Sequence, residues 1–374
     1  MTYQGLRGSM PNRLSTLFLV ILLLGLSHSV QAANQSVPEE VDFSDKTIEL
    51  IVPYMPGGGT EAWAKSVVPY LNRYLPGNPA VVIRNNPGGN ATKAANEFAE
   101  KFSLDGSSVL VTAASNQLSF LLGDSRVRYD FSNWRPILAY RSGVVVYTSE
   151  KLGVNNIQEF LNLRDEYLVM ASMGPTSDDL FVLMAFDLLN INVSSIFGSP
   201  GRGPARRIFL RGEANIDFQT TASYIANVKP DEDHGKAVPL FTLGSFDQSM
   251  NYVRDPMFPD LPNIAEVYEM VHGNPPSGDA WDAWYTLFRA GHGSLKLLVL
   301  PHDTPESIMN AYHAAVQQMI DDPEFHTSLA YQLGKRSMLA GEEAAELMQD
   351  RTTISEKTRN WIVKWIYDRY GVRL

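Results

Sequence analysis

The sequence predicts an α/β architecture, a mostly parallel sheet with helices on both faces, on three observations. Apolar runs of strand composition alternate with amphipathic helical runs along the chain. One glycine-rich junction recurs wherever a strand gives way to a helix. At 374 residues, the chain is long enough for two domains by the usual size of a hydrophobic core.

The elements follow in order. Ile48 to Val52 reads as a strand closed by Pro53, and Thr60 is a helix N-cap after three glycines. In the helix Thr60 to Leu75, residues Trp63, Ala64, Val67, Val68 and Leu71 share one face, and Pro69 should kink it. Trp63 on that face reads as core. Ala80 to Ile83 is a strand, followed by Asn85-Asn-Pro-Gly-Gly-Asn90 and an alanine-rich helix. Ser108 to Thr112 leads into Ala113-Ala-Ser-Asn-Gln117, and Val144 to Thr148 is a further strand. Val169 to Ser172 runs through Met173-Gly-Pro-Thr-Ser177 into a helix ending at Leu189. Ile216 to Phe218 and Val238 to Phe241 are strands. Thr304 as N-cap, Pro305 at the first helical position and Glu306 in the first turn open a helix of about 17 residues.

The recurring junction carries the chemistry. Pro56-Gly-Gly-Gly-Thr60, Pro87-Gly-Gly-Asn90 and Met173-Gly-Pro-Thr-Ser177 each end a strand and begin a helix. Glycines let backbone approach a ligand, and a helix N-terminus points unpaired N–H groups at it. Such a corner binds phosphate or carboxylate, or else it is an ordinary turn with surplus glycine. No Lys-Ser/Thr follows the three glycines, which excludes an NTPase phosphate loop, and Glu61 there would repel a nucleotide phosphate. Gly58 is expected at positive φ, close to a ligand. In open α/β sheets ligands bind beyond the carboxyl ends of the strands, so converging loops would supply N–H donors and hydroxyls.

The N-terminus predicts export. Arg7 and Arg13 precede an apolar run from Leu14 to Leu26, and Val30-Gln-Ala32 reads as a cleavage site before Ala33. The run is shorter than the roughly 20 residues of a membrane span. Residues 1–32 are therefore a signal peptide and 33–45 a flexible mature N-terminus of a soluble periplasmic protein; Met10 serves equally as a start. The chain contains no cysteine, which excludes a lipid-anchored lipoprotein and a disulfide framework. Formal charge is −10, from 31 basic and 41 acidic residues, which disfavours nucleic acid and anionic membranes as partners. The seven histidines form no metal-binding spacing, and no nucleophile elbow of the Gly-x-Ser-x-Gly type occurs. Asp231-Glu-Asp-His-Gly235 starts like a calcium loop, lacks its later ligands and reads as a surface turn. Arg206, Arg207 and Arg211 read as a solvated helix face. No metal or cofactor is expected.

Pro53-Tyr-Met-Pro-Gly-Gly-Gly-Thr60 resembles the first ligand loop of the tripartite tricarboxylate transporter solute receptors, the Bug family of periplasmic binding proteins. The likeness continues in family order through Asn86-Pro-Gly-Gly89, Asp105-Gly106, Tyr129-Asp-Phe-Ser-Asn-Trp-Arg-Pro136 and Arg211-Gly-Glu213 with Asp217. It ends with Asp260-Leu-Pro-Asn-Ile-Ala-Glu266, Trp284, Pro301-His-Asp-Thr-Pro305 and Asp322-Pro-Glu324. The resemblance implies the type II periplasmic binding fold, a two-domain Venus flytrap with a cleft between domains. Domain 1 would comprise 46–143 and 284–374 and domain 2 residues 144–283, with crossings near Arg141 to Val144 and near Asp279 to Trp284. One pincer on a ligand carboxylate would be Tyr54, Met55, Gly57, Gly58, Gly59 and Thr60. The other would lie in Gly198-Ser-Pro-Gly-Arg-Gly-Pro204, with Arg202 and Gly203 at its centre. Ser115, Asn116, Thr176, Ser177 and Asp217 complete the implied ligand contacts. Relatives carry a Tyr-Lys-Gly-like sequence where this chain has Gly201-Arg202-Gly203; the arginine keeps the charge and adds a planar fork. Glu61 replaces the usual aspartate.

The function so implied is capture of a small carboxylate by a monomeric receptor that delivers it to the membrane permease subunits of a tripartite transporter, with no reaction catalysed. Dicarboxylates, tricarboxylates, aromatic acids and amino acids all satisfy this reading. Two other classes stand beside it: a secreted enzyme acting on a small carboxylate in the same cleft, and an orphan sensory receptor feeding a signalling protein.

Overall fold

Ile48, Leu50 and Val52 bury one face of the first strand and Ile51 the other, so a run with no polar alternation becomes a central strand covered on both sides. The computed structural model describes residues 1–2, 41–163, 166–247, 249, 251–292, 296–327 and 338–374. The signal peptide at 1–32, its cleavage site and most of the 33–45 segment lie outside these residues apart from Met1 and Thr2.

From Val41 onward the chain first forms β1 (Thr47–Val52), α1 (Gly59–Tyr74), β2 (Ala80–Asn85), α2 (Thr92–Lys101), β3 (Ser108–Thr112), α3 (Ala114–Leu122) and β4 (Trp134–Tyr140). It then runs through β5 (Val144–Ser149), α4 (Ile157–Leu161), β6 (Leu168–Ala171), α5 (Asp179–Leu188), β7 (Val193–Ile196), α6 (Arg202–Leu210) and β8 (Ile216–Thr220). Next come α7 (Thr221–Asn227), α8 (Lys229–Asp233), β9 (Ala237–Thr242), β10 (Ser245–Phe246), β11 (Tyr252–Val253) and α9 (Ile264–His272). The last stretch holds α10 (Asp279–His292), β12 (Lys296–Pro301), α11 (Glu306–Asp321), β13 (Met338–Ala340), α12 (Gly341–Arg351) and α13 (Glu356–Tyr370).

Among the described residues two large sheets form, in the orders β13-β4-β12-β3-β1-β2 and β7-β6-β8-β5-β9, beside a two-stranded ribbon of β10 and β11. Both are mixed rather than mostly parallel. β1 runs parallel to β2 and β3, and β6 to β7 and β8, and each of these runs is linked by crossover helices. β12 is antiparallel to β3 and β4, and β5 is antiparallel to β8 and β9. These are the strands that carry the chain between sheets, and they enter from the opposite end. The first passage is only residues 141–143, between β4 and β5.

The strand and helix cores follow the apolar positions expected of them, and one helix starts later than its sequence signals suggest. Pro69 sits inside α1 without ending it, because Trp63, Ala64, Val67 and Leu71 hold the helix to the sheet on both sides of the proline. Trp63 also stacks on Tyr140, with ring centroids 5.9 Å apart. α11 begins one residue late: the N-cap is Pro305 at φ −51° and ψ 140°, while Thr304 is buried one position before it. Ile362 and Ile366 of α13 join a core with β6 and α5 of the second sheet. Trp365 donates to Asp187 at 2.9 Å and Arg369 to Asn192 at 3.0 Å. The same core takes in Leu118 of α3 and Trp284 of α10, so these helices tie the two lobes together.

Candidate ligand cleft

The loop after β1 is held open by backbone and one carboxylate. Gly57 adopts φ +93° and donates its N–H to Glu61 Oε2 at 2.7 Å. Glu61 also pairs with Lys65 at 2.8 Å, so it braces the loop and is not free to meet a ligand. Gly58 is the N-cap of α1 at φ −96° and ψ 167°, which corrects the expectation of a positive φ: Gly57 makes the turn and Gly58 is extended. The first-turn N–H groups of α1 have no intrahelical partners.

The opposing loop, at the start of α6, meets this one directly. A Cβ on Gly203 would lie 2.8 Å from the Gly57 carbonyl carbon and oxygen, and one on Gly59 would lie 2.1 Å from Thr220 Oγ1. Glycine is required at 203 for the lobes to approach this closely, because the contact there is to backbone, whereas at 59 the Thr220 hydroxyl would have to turn away. Between the loops lies an inner chamber of about 20 Å³, walled by Tyr54, Gly58, Gly59, Thr60, Met173, Asp178, Arg202, Gln219 and Thr220. Past Tyr54 and Met173 it gives onto an outer cavity of about 320 Å³, lined by residues of the junctions at 53–54, 88–91 and 198–200 together with Arg126. Five strand-to-helix junctions therefore converge on one cleft.

The electrostatics of the inner chamber centre on Arg202. Its guanidinium pairs with Asp179 at 2.6 Å and with Asp217, donates to the carbonyls of Ala171 and Phe218, and stacks 3.8 Å from the Phe218 ring centroid. Tyr147 donates its hydroxyl to Asp217. Burial pushes the Asp217 carboxyl up, and Arg202 opposes that shift. Asp178, next along, accepts from Ser115 Oγ at 3.0 Å and returns its backbone N–H to the same oxygen. Burial, with the adjacent charge of Asp179, pushes its carboxyl up to about 6. Burial and Asp178 together push the Tyr54 phenol up. Tyr54 Oη, Thr220 Oγ1 and Arg202 Nε find no hydrogen-bond partner among the described residues.

Beside the chamber the lobes are latched. Thr176 Oγ1 accepts from Asn90 at 3.1 Å and from Arg126 at 3.2 Å, and donates to Asp124 at 3.3 Å. Burial pushes the Asp124 carboxyl up, but hydrogen bonds and charge from Arg126 bring it below its ordinary value.

Of the residues expected at the site, Tyr54, Gly58, Gly59, Thr60 and Arg202 line the inner chamber. Gly57 and Gly203 form the contact between loops, and Ser115 and Thr176 bridge the lobes. The rest point elsewhere. Met55 is exposed and lines neither cavity. Asn116 is buried as a cap of α3, accepting from Ala113 N–H and donating to Ala91 O. Ser177 donates to Gly174 O and Asp179, and Asp217 is committed to Arg202 and Tyr147. Arg206 is not simply solvated but pairs with Asp231; Arg211 pairs with Glu213, and Arg207 is exposed. Sequence reasoning missed Asp178, Gln219, Thr220, Asn90 and Arg126. Asp178 directly follows Thr176-Ser177 at a strand-to-helix junction, the position that singled out its neighbours.

Two mixed sheets flanked by helices, crossed by the chain near 141–143 and opposed across a loop-lined cleft, give this protein the two-domain fold of the periplasmic binding proteins. Its structural neighbours are of the Bug and TctC type. The periplasmic binding protein BugD matches with a TM-score of 0.65 at 20% identity, covering 88% of this chain and 99% of BugD. MatC from Rhodopseudomonas palustris, with bound malate, matches at 0.64 and 19% identity, over 85% of this chain and 99% of MatC. Rpa4515 from R. palustris, with adipate, matches at 0.66 and 18% identity, over 89% and 99% of the two chains. No protein-family profile and no curated protein matches the sequence.

Proposed function

We propose that this protein is an extracytoplasmic solute receptor of the Bug type that captures a small carboxylate and delivers it to a tripartite tricarboxylate-type permease. The observation that carries the reading is the inner chamber, where the N-terminus of α1 and Tyr54 from one lobe meet Arg202, Gln219 and Thr220 from the other around one cavity. Helix N-terminal N–H groups favour an anion, and a bound molecule there touches both lobes at once. Binding stabilises the closed arrangement by its differential affinity for it, and the closed form is what the permease recognises. Structural neighbours holding malate and adipate support a carboxylate as the ligand. The sequence features of residues 1–32 support export, with cleavage between Ala32 and Ala33.

A thermal-shift screen of the mature protein against an organic-acid panel tests this. A ligand at a hundredfold excess over its Kd stabilises by about 2.7 kcal/mol, which for domains of this size raises Tm by roughly 5–10 °C. Conversion of the stabilising acid to a product during incubation would favour the enzyme reading. No shift with any acid would overturn the receptor.

A further inference from the structure

Asp178 stands in the join between the lobes without a cation in hydrogen-bond contact. It lines the inner chamber, and its carboxylate accepts from Ser115 Oγ of the other lobe at 3.0 Å. Its backbone N–H donates to the same hydroxyl at 3.2 Å. The charged and titratable groups around it do not neutralise it. Asp179, next in the chain, adds like charge, which the more distant Arg202 opposes. The Arg202 guanidinium is engaged by Asp179 and Asp217. From the other lobe Tyr54 lines the same chamber, its phenol pushed up by burial and so uncharged. Glu61, behind the first loop, is paired with Lys65. Among the described residues no histidine lines the chamber or the outer cavity.

Parting the lobes separates Ser115 from Asp178 and lets water reach the carboxylate, whose ordinary value of 3.8 keeps it ionised. Closing them removes that water, and burial with Asp179 alongside pushes the carboxyl up to about 6. An anion drawn to the N-terminus of α1 brings a further like charge into the cleft. In a desolvated site that repulsion is far larger than in water, and a proton on Asp178 removes it. We infer that the cleft captures one proton together with its anion, the proton resting on the Asp178 carboxyl while the lobes are closed. This rests on the receptor reading above and adds a second occupant to its site. The proton comes from solvent on closure and returns there on release. The protonated carboxyl stays hydrogen-bonded, because the Ser115 hydroxyl has a second lone pair to accept the new O–H. Since the closed state holds the proton more tightly than the open one, anion affinity rises as pH falls.

Calorimetric titration of the exported protein with pyruvate, malate, succinate, adipate, benzoate and glutamate tests this. Titrations at pH 5, 6 and 7.5, each in two buffers of different ionisation enthalpy, count the protons taken up per acid bound. For any acid that binds, at least about half a proton should enter with it at pH 6 once its own titration is subtracted. Its Kd should be at least about tenfold lower at pH 5 than at pH 7.5, the effect of a carboxyl moved from 3.8 to about 6. Asp178→Asn, its fold verified by its melting transition, should lose both effects and bind at least as tightly as wild type at pH 7.5. Should that variant not fold, the wild-type proton count decides alone. Binding without proton uptake, or uptake that persists in the folded variant, would overturn the proton capture and leave the carboxylate receptor standing. A folded protein that binds none of the six acids would overturn both.

Discussion

Gly203 packs against the Gly57 peptide so closely that an added Cβ would sit 2.8 Å from its carbonyl carbon and oxygen. These residues belong to opposite lobes, and the contact is backbone to backbone, so no side-chain rotation can relieve a larger residue. Gly203→Ala should therefore hold the lobes apart. Small-angle scattering should give a larger radius of gyration than wild type at saturating ligand, and affinity should fall at least tenfold, since a residual strain above about 1.4 kcal/mol suffices. Gly58→Ala, at φ −96° and with 3.9 Å to the Gly203 nitrogen, should still close. Full compaction of Gly203→Ala would show that the loops part at little cost.

Arg202 was the sequence's candidate for a ligand-binding cation, but the structure engages it with Asp179 and Asp217 in the interior. Arg202→Ala would leave two carboxylates buried without their partner, at a cost of about 3–5 kcal/mol. Arg207→Ala, on the exposed face of the same helix, should change stability by less than about 0.5 kcal/mol. Urea unfolding of both variants measures the contrast. Equal midpoints would mean that the buried ion cluster contributes nothing.

Thr176 joins Asn90, Arg126 and Asp124 across the cleft through one hydroxyl. Thr176→Val keeps the shape and deletes the hydrogen bonds, leaving the groups that faced it to find other partners. The expected loss is about 1–3 kcal/mol, borne by the closed arrangement rather than by either lobe. Hydrogen exchange should then speed up in the loops around Asn90 and Thr176 while the central strands β1 and β5 keep wild-type protection. Uniform acceleration throughout would make Thr176 an ordinary core residue.

Much of this cleft was legible in the sequence because backbone chemistry is local. Three glycines after an apolar run, and Thr176-Ser177 after another, mark strand-to-helix junctions wherever they occur, and both came to the cleft. Strand direction was not legible. Val144 to Thr148 looks like any other apolar strand, and only its three-residue link to β4 and its pairing with β8 and β9 make it antiparallel. The partners of the charged residues were not legible for the same reason. Arg202 and Asp217 stand fifteen positions apart, and nothing local says that they meet each other, or that Asp179 meets both elements, leaving Asp178 to face the chamber.

That placement of Asp178 gives the protein a pH signature. Its carboxyl is pushed from 3.8 up to about 6 by burial and by Asp179. The folded state thus holds this proton more tightly than the unfolded chain does. The stability it contributes is full below about pH 4 and is lost as pH rises through about 6. At pH 7.5 the ionised group costs up to about 3 kcal/mol, from roughly two pKa units at 1.36 kcal/mol each. Asp178→Asn removes the charge while its side-chain oxygen can still accept from Ser115. The variant should be more stable than wild type at pH 7.5 and should converge on it below pH 4. Urea unfolding of both proteins at several pH values follows this group, because titrations away from Asp178 and its immediate neighbours are common to the two. A gap that widens on acidification would reverse the sign and place the Asp178 carboxylate in a stabilising contact instead.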